Sequence, residues 1–195
     1  QIIDGFVAYL KTQTSILALY QCGSAAFKRL DEWSDIDFII LVEDGMIEQT
    51  FETIDNYVVS QYQVKASYGE FLTSWPGVWE KVYTFQNESP FHMIEVAIIE
   101  KSSSVSFTEK EIHGEIIVHF DKIEFTRPIP IDLTIFSRKL RQRIIDIGKL
   151  HEIYHVLPKK EINRKNAIEA YAFYYRYILQ PYFELLRIIR CPFRH

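Results

Sequence analysis

The residues best suited to chemistry are two aspartates two positions apart, Asp35 and Asp37, at the start of the apolar run 36–42. Residues i and i+2 of a strand point to the same face, so the two carboxylates share one space. Their repulsion is on the order of several kcal/mol at low effective dielectric. A hard divalent cation removes it, because Mg²⁺ binds carboxylates and joins them to substrate phosphates. The pair predicts a metal site, although an Asp-x-Asp sequence that merely begins a solvated strand has the same pattern.

A third acid, Glu95, is the only acid inside the largely apolar run 92–99. A charged side chain is costly to bury without a partner. Glu95 therefore faces either an open edge of the sheet or the metal, and we expect the metal. Three carboxylates suit two Mg²⁺ ions, an arrangement that stabilises both the attacking and the leaving oxygen of an in-line displacement.

A turn at Gly23 and Ser24 follows the buried apolar run 16–20 and precedes the aspartate pair. Glycine lets the backbone come close to a ligand, and the free amides of such a turn can hold a phosphate. The Ser24 hydroxyl can bond a phosphate oxygen as well. A phosphate site beside the carboxylates favours the metal interpretation of the acids.

Apolar patterning predicts the elements that position these residues. Helical spacing predicts helices over 2–10 and 46–56, and the aromatic-rich stretch 68–85 is predicted to be irregular. Apolar runs and alternation predict five strands, over residues 16–20, 36–42, 57–66, 91–99 and 116–120.

The segment 127–130 contains two prolines and marks the predicted domain boundary, because proline lacks an amide donor and restricts the residue before it. Beyond it, helical spacing predicts one helix over 136–154 and a long one over 161–190, kinked at Pro181. Strands first and helices afterwards predict an α+β fold, a mixed sheet with flanking helices followed by a C-terminal helical domain. The chain begins without Met and ends abruptly, so we expect this helical domain to be truncated. The predicted domains are residues 1–127 and 131–195.

Two segments, Gly23 to Ala26 and Asp31 to Phe38, resemble the signature of the polymerase-β-like nucleotidyltransferase superfamily. The chain is similar in particular to small bacterial enzymes that adenylylate aminoglycosides and lincosamides. The resemblance implies a nucleotidyltransferase-type sheet, with Gly23 and Ser24 on the triphosphate. It also implies that Asp35, Asp37 and Glu95 are the catalytic metal ligands. The chain departs from the family pattern at Phe27-Lys28, where Gly is frequent, and in having Glu rather than Asp as the third acid.

The activity implied by this resemblance is the transfer of a nucleoside monophosphate, AMP by default, from ATP or another nucleoside triphosphate. The acceptor is a hydroxyl of a small molecule, with antibiotics among the candidates, and pyrophosphate is released. Lys160 and Arg164 are expected to reach the β- and γ-phosphates, or else to form a solvated helix end. Two alternatives stay open: a protein-modifying enzyme of a toxin–antitoxin pair, and a nucleotide-binding module without turnover. The candidates for the general base are Glu80, Glu95 and Glu169.

The charge of −4 is unevenly divided, since residues 1–131 hold 9 Lys and Arg against 20 Asp and Glu, and residues 132–195 hold 13 against 6. This division suits a polyanionic ligand that carries metal cations, or two surfaces that attract each other. No motif indicates nucleic-acid binding, and no apolar stretch nears the ~20 residues of a membrane span. We therefore expect a cytoplasmic protein, with Cys22 and Cys191 reduced and buried.

Aromatic and histidine residues carry weaker predictions. The tyrosine-rich stretch 171–177 is expected to line an acceptor pocket, or to form a helix–helix or homodimer contact. Three histidines lack metal-type spacing and are expected to fill ordinary polar or core roles, namely His92, His113 and His119.

Overall fold

A computed structural model describes residues 2–72 and 76–194 of the chain. The chain divides into two compact units, residues 1–130 and 131–195. The division falls directly after the two prolines of the segment 127–130.

The first unit is a six-stranded mixed sheet with helices, and the second is helical. The strand order is β3-β4-β5-β2-β1-β6. Strands β2 and β5 pair in parallel, and the other neighbours pair antiparallel. The mixed sheet followed by helices confirms the α+β class. The strands are β1 (Ile16–Gln21), β2 (Ile36–Val42), β3 (Val64–Leu72), β4 (Val78–Phe85), β5 (Met93–Glu100) and β6 (Ile117–Asp121). The helices are α1 (Ile2–Lys11), α2 (Gly23–Ala26), α3 (Ile47–Gln61) and α4 (Lys110–His113).

The two faces of the sheet are covered differently. Alternate residues of the central strands, such as Phe38 and Val96, face one side and pack with buried residues of α1 and α3. The residues between them, such as Ile39 and Ala97, face the other side. That side is covered by apolar residues of the segment 105–125 rather than by a long helix. The predicted acids Asp37 and Glu95 lie on this second face.

Two predictions in this unit are wrong. The predicted strand over 57–66 begins in a helix, because α3 continues to Gln61. The helical spacing of Ile47, Phe51, Ile54 and Val58, all of them buried, outweighs the local alternation.

The stretch 68–85, predicted to be irregular, contains the hairpin of β3 and β4, in which Tyr68 pairs with Val82. Its aromatic and β-branched residues suit a pleated strand. Trp75, in the same stretch, lies outside the described residues.

In the second unit, the first helix begins one turn earlier than predicted. Asp132 caps it, and its Oδ1 accepts the amides of Thr134 and Ile135 at 2.9 and 3.0 Å. The helices are α5 (Leu133–Tyr154), α6 (Val156–Asn163), α7 (Ala167–Tyr174) and α8 (Gln180–Arg190).

The long helix predicted over 161–190 is interrupted. The chain leaves α6 after Asn163, and Lys165 takes a φ of +61° before α7 begins. From α7 to α8 the helix is continuous but includes a π-helical turn, Tyr175–Leu179. This turn ends two residues before Pro181, which has no amide to donate to the preceding turn. Proline therefore accompanies a change in helical pitch here.

The helical unit buries few of its apolar side chains, Ile147, Ala170 and Ile188 among them, while Tyr171 and Tyr175 are exposed. Cys191 is exposed, which corrects the prediction that both thiols are buried; Cys22 is buried. Within the described residues, no helix combines the length and the apolar character that crossing a membrane requires.

Candidate active site

Parallel pairing of β2 and β5 brings two of the predicted acids together. Asp37 and Glu95 are direct partners in the register, so their side chains leave the sheet on the same face. Strands in such a pair lie about 4.8 Å apart. On each strand the acid is followed at every second position by apolar residues of the second face, Ile39 after Asp37 and Ala97 after Glu95. The carboxylates thus stand at the polar end of an apolar stripe.

The loop that leads into β2 positions the third acid, Asp35. Asp31 fixes this loop, because its Oδ1 accepts the Trp33 amide at 3.0 Å and the Ser34 hydroxyl at 2.8 Å. Local hydrogen bonds of this kind are typical of an Asp-led turn. Asp35 follows the turn directly, and its charge acts on Asp37 and Glu95.

Burial and the charges of neighbouring acids dominate the electrostatics of Asp37 and Glu95. Burial, followed by the charges of Asp35 and Glu95, raises the pKa of Asp37 to about 6. Burial also raises the pKa of Glu95, with further contributions from Glu80 and Asp35. A divalent cation would stabilise the charged form of each group, so the donor set fits a hard metal ion with oxygen ligands.

The acids are close together without forming a complete ligand set. Among residues 2–72 and 76–194, no three His, Cys, Asp or Glu side chains are arranged to hold one metal ion by themselves. Mg²⁺ commonly uses one or two carboxylates and takes its other ligands from water and substrate phosphates. The arrangement is therefore suited to an ion that arrives together with a phosphate ligand.

Gly23 lies directly against Asp37. Its φ is +61°, and a Cβ at this position would stand 1.6 Å from Asp37 Oδ2 and 2.7 Å from Asp37 Cγ. The neighbouring Cys22 amide donates to the Asp37 carbonyl oxygen at 3.0 Å. Only glycine fits such a position. The sequence predicts a glycine that lets a ligand approach, and the structure shows that this glycine also gives room to the Asp37 carboxylate.

These residues line a concavity of about 300 Å³ on the second face of the sheet. Its polar lining is formed by Gly23, Asp37, Glu80, Glu95 and His113. Ser24 adjoins it in α2, where its carbonyl oxygen accepts the Arg29 amide at 2.9 Å. The site therefore combines Gly23 of the Gly-Ser turn, the acids Asp37 and Glu95, and two residues from other elements, Glu80 and His113, whereas Asp35 is not among the described residues that line the concavity.

The sequence predicted an ordinary polar or core role for His113 and did not distinguish Glu80 from the other candidates for the general base. Glu80 pairs with Ala97 across β4 and β5, which places it on the acid-bearing face, and burial raises its pKa. The hairpin was not predicted, so no register was available for Glu80. Burial lowers the pKa of His113, against an opposing effect of Glu109, and the imidazole is thus neutral at pH 7. Nothing in the spacing of His113 distinguishes it from the other histidines.

Lys160 and Arg164 belong to the helical unit. Arg164 Nη1 donates to Glu161 Oε1 at 2.8 Å, and the Glu161 side chain is buried. This contact ties down the end of α6. Lys160 lies exposed on the same helix. Their contact with a nucleotide stays a prediction.

No protein-family model matches the chain, and the curated proteins include none that is significantly similar to it. A functional assignment must therefore be argued from the residues and their geometry.

Proposed function

We propose that the protein is an Mg²⁺-dependent nucleotidyltransferase of the polymerase-β-like type. It transfers a nucleoside monophosphate, AMP by default, from a nucleoside triphosphate to a hydroxyl of a small acceptor. One observation carries the proposal: Asp37 and Glu95 stand side by side on one sheet face, with Gly23 packed against Asp37. Separate parts of the sequence signature thus meet at one concavity.

In this proposal Asp35, Asp37 and Glu95 would hold Mg²⁺ together with the phosphates that arrive with it, and Gly23 and Ser24 hold the triphosphate. Mg²⁺ bound there would neutralise charge that develops on the phosphates. The acceptor oxygen forms a bond to the α-phosphorus while the bond from that phosphorus to the bridging oxygen breaks, and pyrophosphate leaves with the electron pair. Glu80 is not among the expected ligands and faces the same concavity, so it takes the proton of the acceptor hydroxyl.

The proposal is tested by incubating the protein with α-labelled nucleoside triphosphates, Mg²⁺ and separate panels of aminoglycosides, lincosamides and candidate proteins. Label on a small molecule supports the proposal, and label on a protein instead supports the protein-modifying alternative. Nucleotide binding without transfer to any acceptor would leave only a binding module.

Asp37→Asn is the matched inactive variant, and we expect it to lose essentially all transfer. Glu52→Gln is the control, because Glu52 is an exposed carboxylate on α3, which covers the opposite face of the sheet. Near-normal transfer by Asp37→Asn would refute the assignment of the acids.

A further inference from the structure

His113 lies in the concavity of the acids although it comes from a distant part of the chain. It ends the short helix α4, and its side chain is 18% exposed. It lines the same space as Gly23, Asp37 and Glu95. The two remaining histidines singled out in the sequence lie elsewhere: His92 lines a different hollow, and His119 packs against Phe38 on the helix-covered face.

Several contacts fasten the His113 segment to the Gly-Ser turn. The Glu115 amide donates to the Ala26 carbonyl oxygen of α2 at 2.9 Å. Gly114 has a φ of +79°, and a Cβ there would stand 2.7 Å from the same oxygen. The Glu115 carboxylate contacts both Lys28, at 2.8 Å, and Lys110, at 2.6 Å. The backbone on either side of the concavity is thus held at a fixed separation.

The imidazole is held by its own neighbours as well. Its ring meets the Phe107 ring edge-on, with centroids 5.2 Å apart, and its Nε2 lies 3.8 Å from Glu109 Oε2. Neither contact is a hydrogen bond, so neither of them competes with a hydrogen bond from the ring to a ligand. A neutral imidazole carries one N–H donor. Among the described residues that line the concavity, the charged side chains are the acids Asp37, Glu80 and Glu95, and His113 adds an N–H donor beside them.

We infer that His113 donates a hydrogen bond to a phosphate oxygen of the nucleotide seated on the Gly23-Ser24 turn. The inference rests on the proposed function, since it assumes that the concavity takes a nucleoside triphosphate. His113 supplies what the acids lack, which is a hydrogen-bond donor, and it comes from a short helix rather than from the sheet. It acts as a binding residue and carries no proton in the reaction.

The test measures, by isothermal titration calorimetry in the presence of Mg²⁺, the Kd of adenosine 5′-(α,β-methylene)triphosphate for the wild type and for three variants. This analogue cannot be cleaved between its α- and β-phosphates. The variants are His113→Leu, which removes the donor, and His113→Gln, which keeps one. His92→Leu is the matched control. A hydrogen bond to a charged group is worth about a tenfold change in affinity or more. We expect His113→Leu to raise Kd by about that factor, His113→Gln to recover most of the loss, and His92→Leu to stay within about twofold of the wild type.

A second measurement uses only the wild-type protein, so it does not depend on whether a variant folds. In the wild-type protein labelled with ¹⁵N at histidine, the His113 ring signals should shift when the analogue and Mg²⁺ are added, and those of His92 should not. The inference is overturned if His113→Leu binds like the wild type, if His113→Gln is as weak as His113→Leu, or if the His113 signals stay in place.

These results separate the inference from the proposed function. Failure of the wild type to bind the analogue would overturn both the inference about His113 and the proposed function. Binding that depends on His113, in a protein that transfers nucleotide to no acceptor, would support the inference and overturn the transferase assignment alone.

Discussion

Replacing Asp37 with Asn should stabilise the protein while removing its activity. In the folded chain the pKa of Asp37 is about 6, against an ordinary value of 3.8. The folded state therefore binds more protons than the unfolded state between these values, and the free energy of unfolding falls as pH rises through this window. At pH 7 the burial of the charged Asp37 carboxylate lowers the free energy of unfolding by its full amount. Asparagine has nearly the same shape and no charge, so the variant escapes this cost.

The magnitude follows from the shift. One pKa unit corresponds to about 1.4 kcal/mol, so a rise of about two units sets an upper limit of about 3 kcal/mol. Asp37 is half-buried, and solvent screening reduces the expected gain to about 1–2 kcal/mol. At pH 4 most of the gain should be lost, because wild-type Asp37 is then protonated in the folded state.

Urea unfolding in the presence of EDTA measures this gain. All three tryptophans precede Pro130, so tryptophan fluorescence reports on the first unit without a contribution from the helical one. Glu52→Gln is again the control, and an exposed substitution of this kind should change the free energy of unfolding by less than about 0.5 kcal/mol. An Asp37→Asn variant that is less stable than the wild type at pH 7, by an amount independent of pH, would refute the reasoning.

Two further predictions concern the scaffold. Gly23→Ala should destabilise the first unit by about 1–3 kcal/mol more than Gly45→Ala, because both glycines have positive φ but only Gly23 would place a Cβ 1.6 Å from Asp37 Oδ2, whereas Gly45 has open space. Asp55→Ala should cost about 2–3 kcal/mol, because it removes the carboxylate that contacts the buried Lys81 ammonium at 2.7 Å and accepts the Tyr83 hydroxyl at 2.8 Å, and Lys81→Met in that background should recover part of the loss. Urea unfolding followed by tryptophan fluorescence measures both.

Each of these predictions has an outcome that contradicts it. Equal losses for Gly23→Ala and Gly45→Ala would mean that the contact with Asp37 is not restrictive. No recovery in the variant that combines Asp55→Ala with Lys81→Met would mean that the loss does not come from the Lys81 ammonium.

The central strands and their acids could be predicted because the signals there are local. The run 36–42 is apolar except for Asp37, and Glu95 is the only acid in the run 92–99. The bounds of β2 agree with the prediction. That Asp37 and Glu95 face the same way depends on the parallel register of β2 and β5, and the sequence gives no direct signal of that register.

The features that could not be predicted depend on strand pairing, or on competition between helical and strand periodicity in the same residues. Residues 57–61 alternate like a strand, yet the buried face of α3 extends through Val58 and keeps them helical. Glu80 reaches the site only through the register of β4 with β5. His113 reaches it because a turn at Gly114 fits against Ala26, a contact between residues far apart in the chain. Such contacts leave no pattern in the spacing of residues.

A crystal structure of the protein with Mn²⁺ and adenosine 5′-(α,β-methylene)triphosphate would test the shared metal site most directly. Anomalous scattering locates the manganese independently of the protein atoms. We predict a peak within coordination distance of carboxylate oxygens from both Asp37 and Glu95, with phosphate oxygens of the nucleotide on its open side. Manganese held by the phosphates alone, away from both carboxylates, would contradict the account.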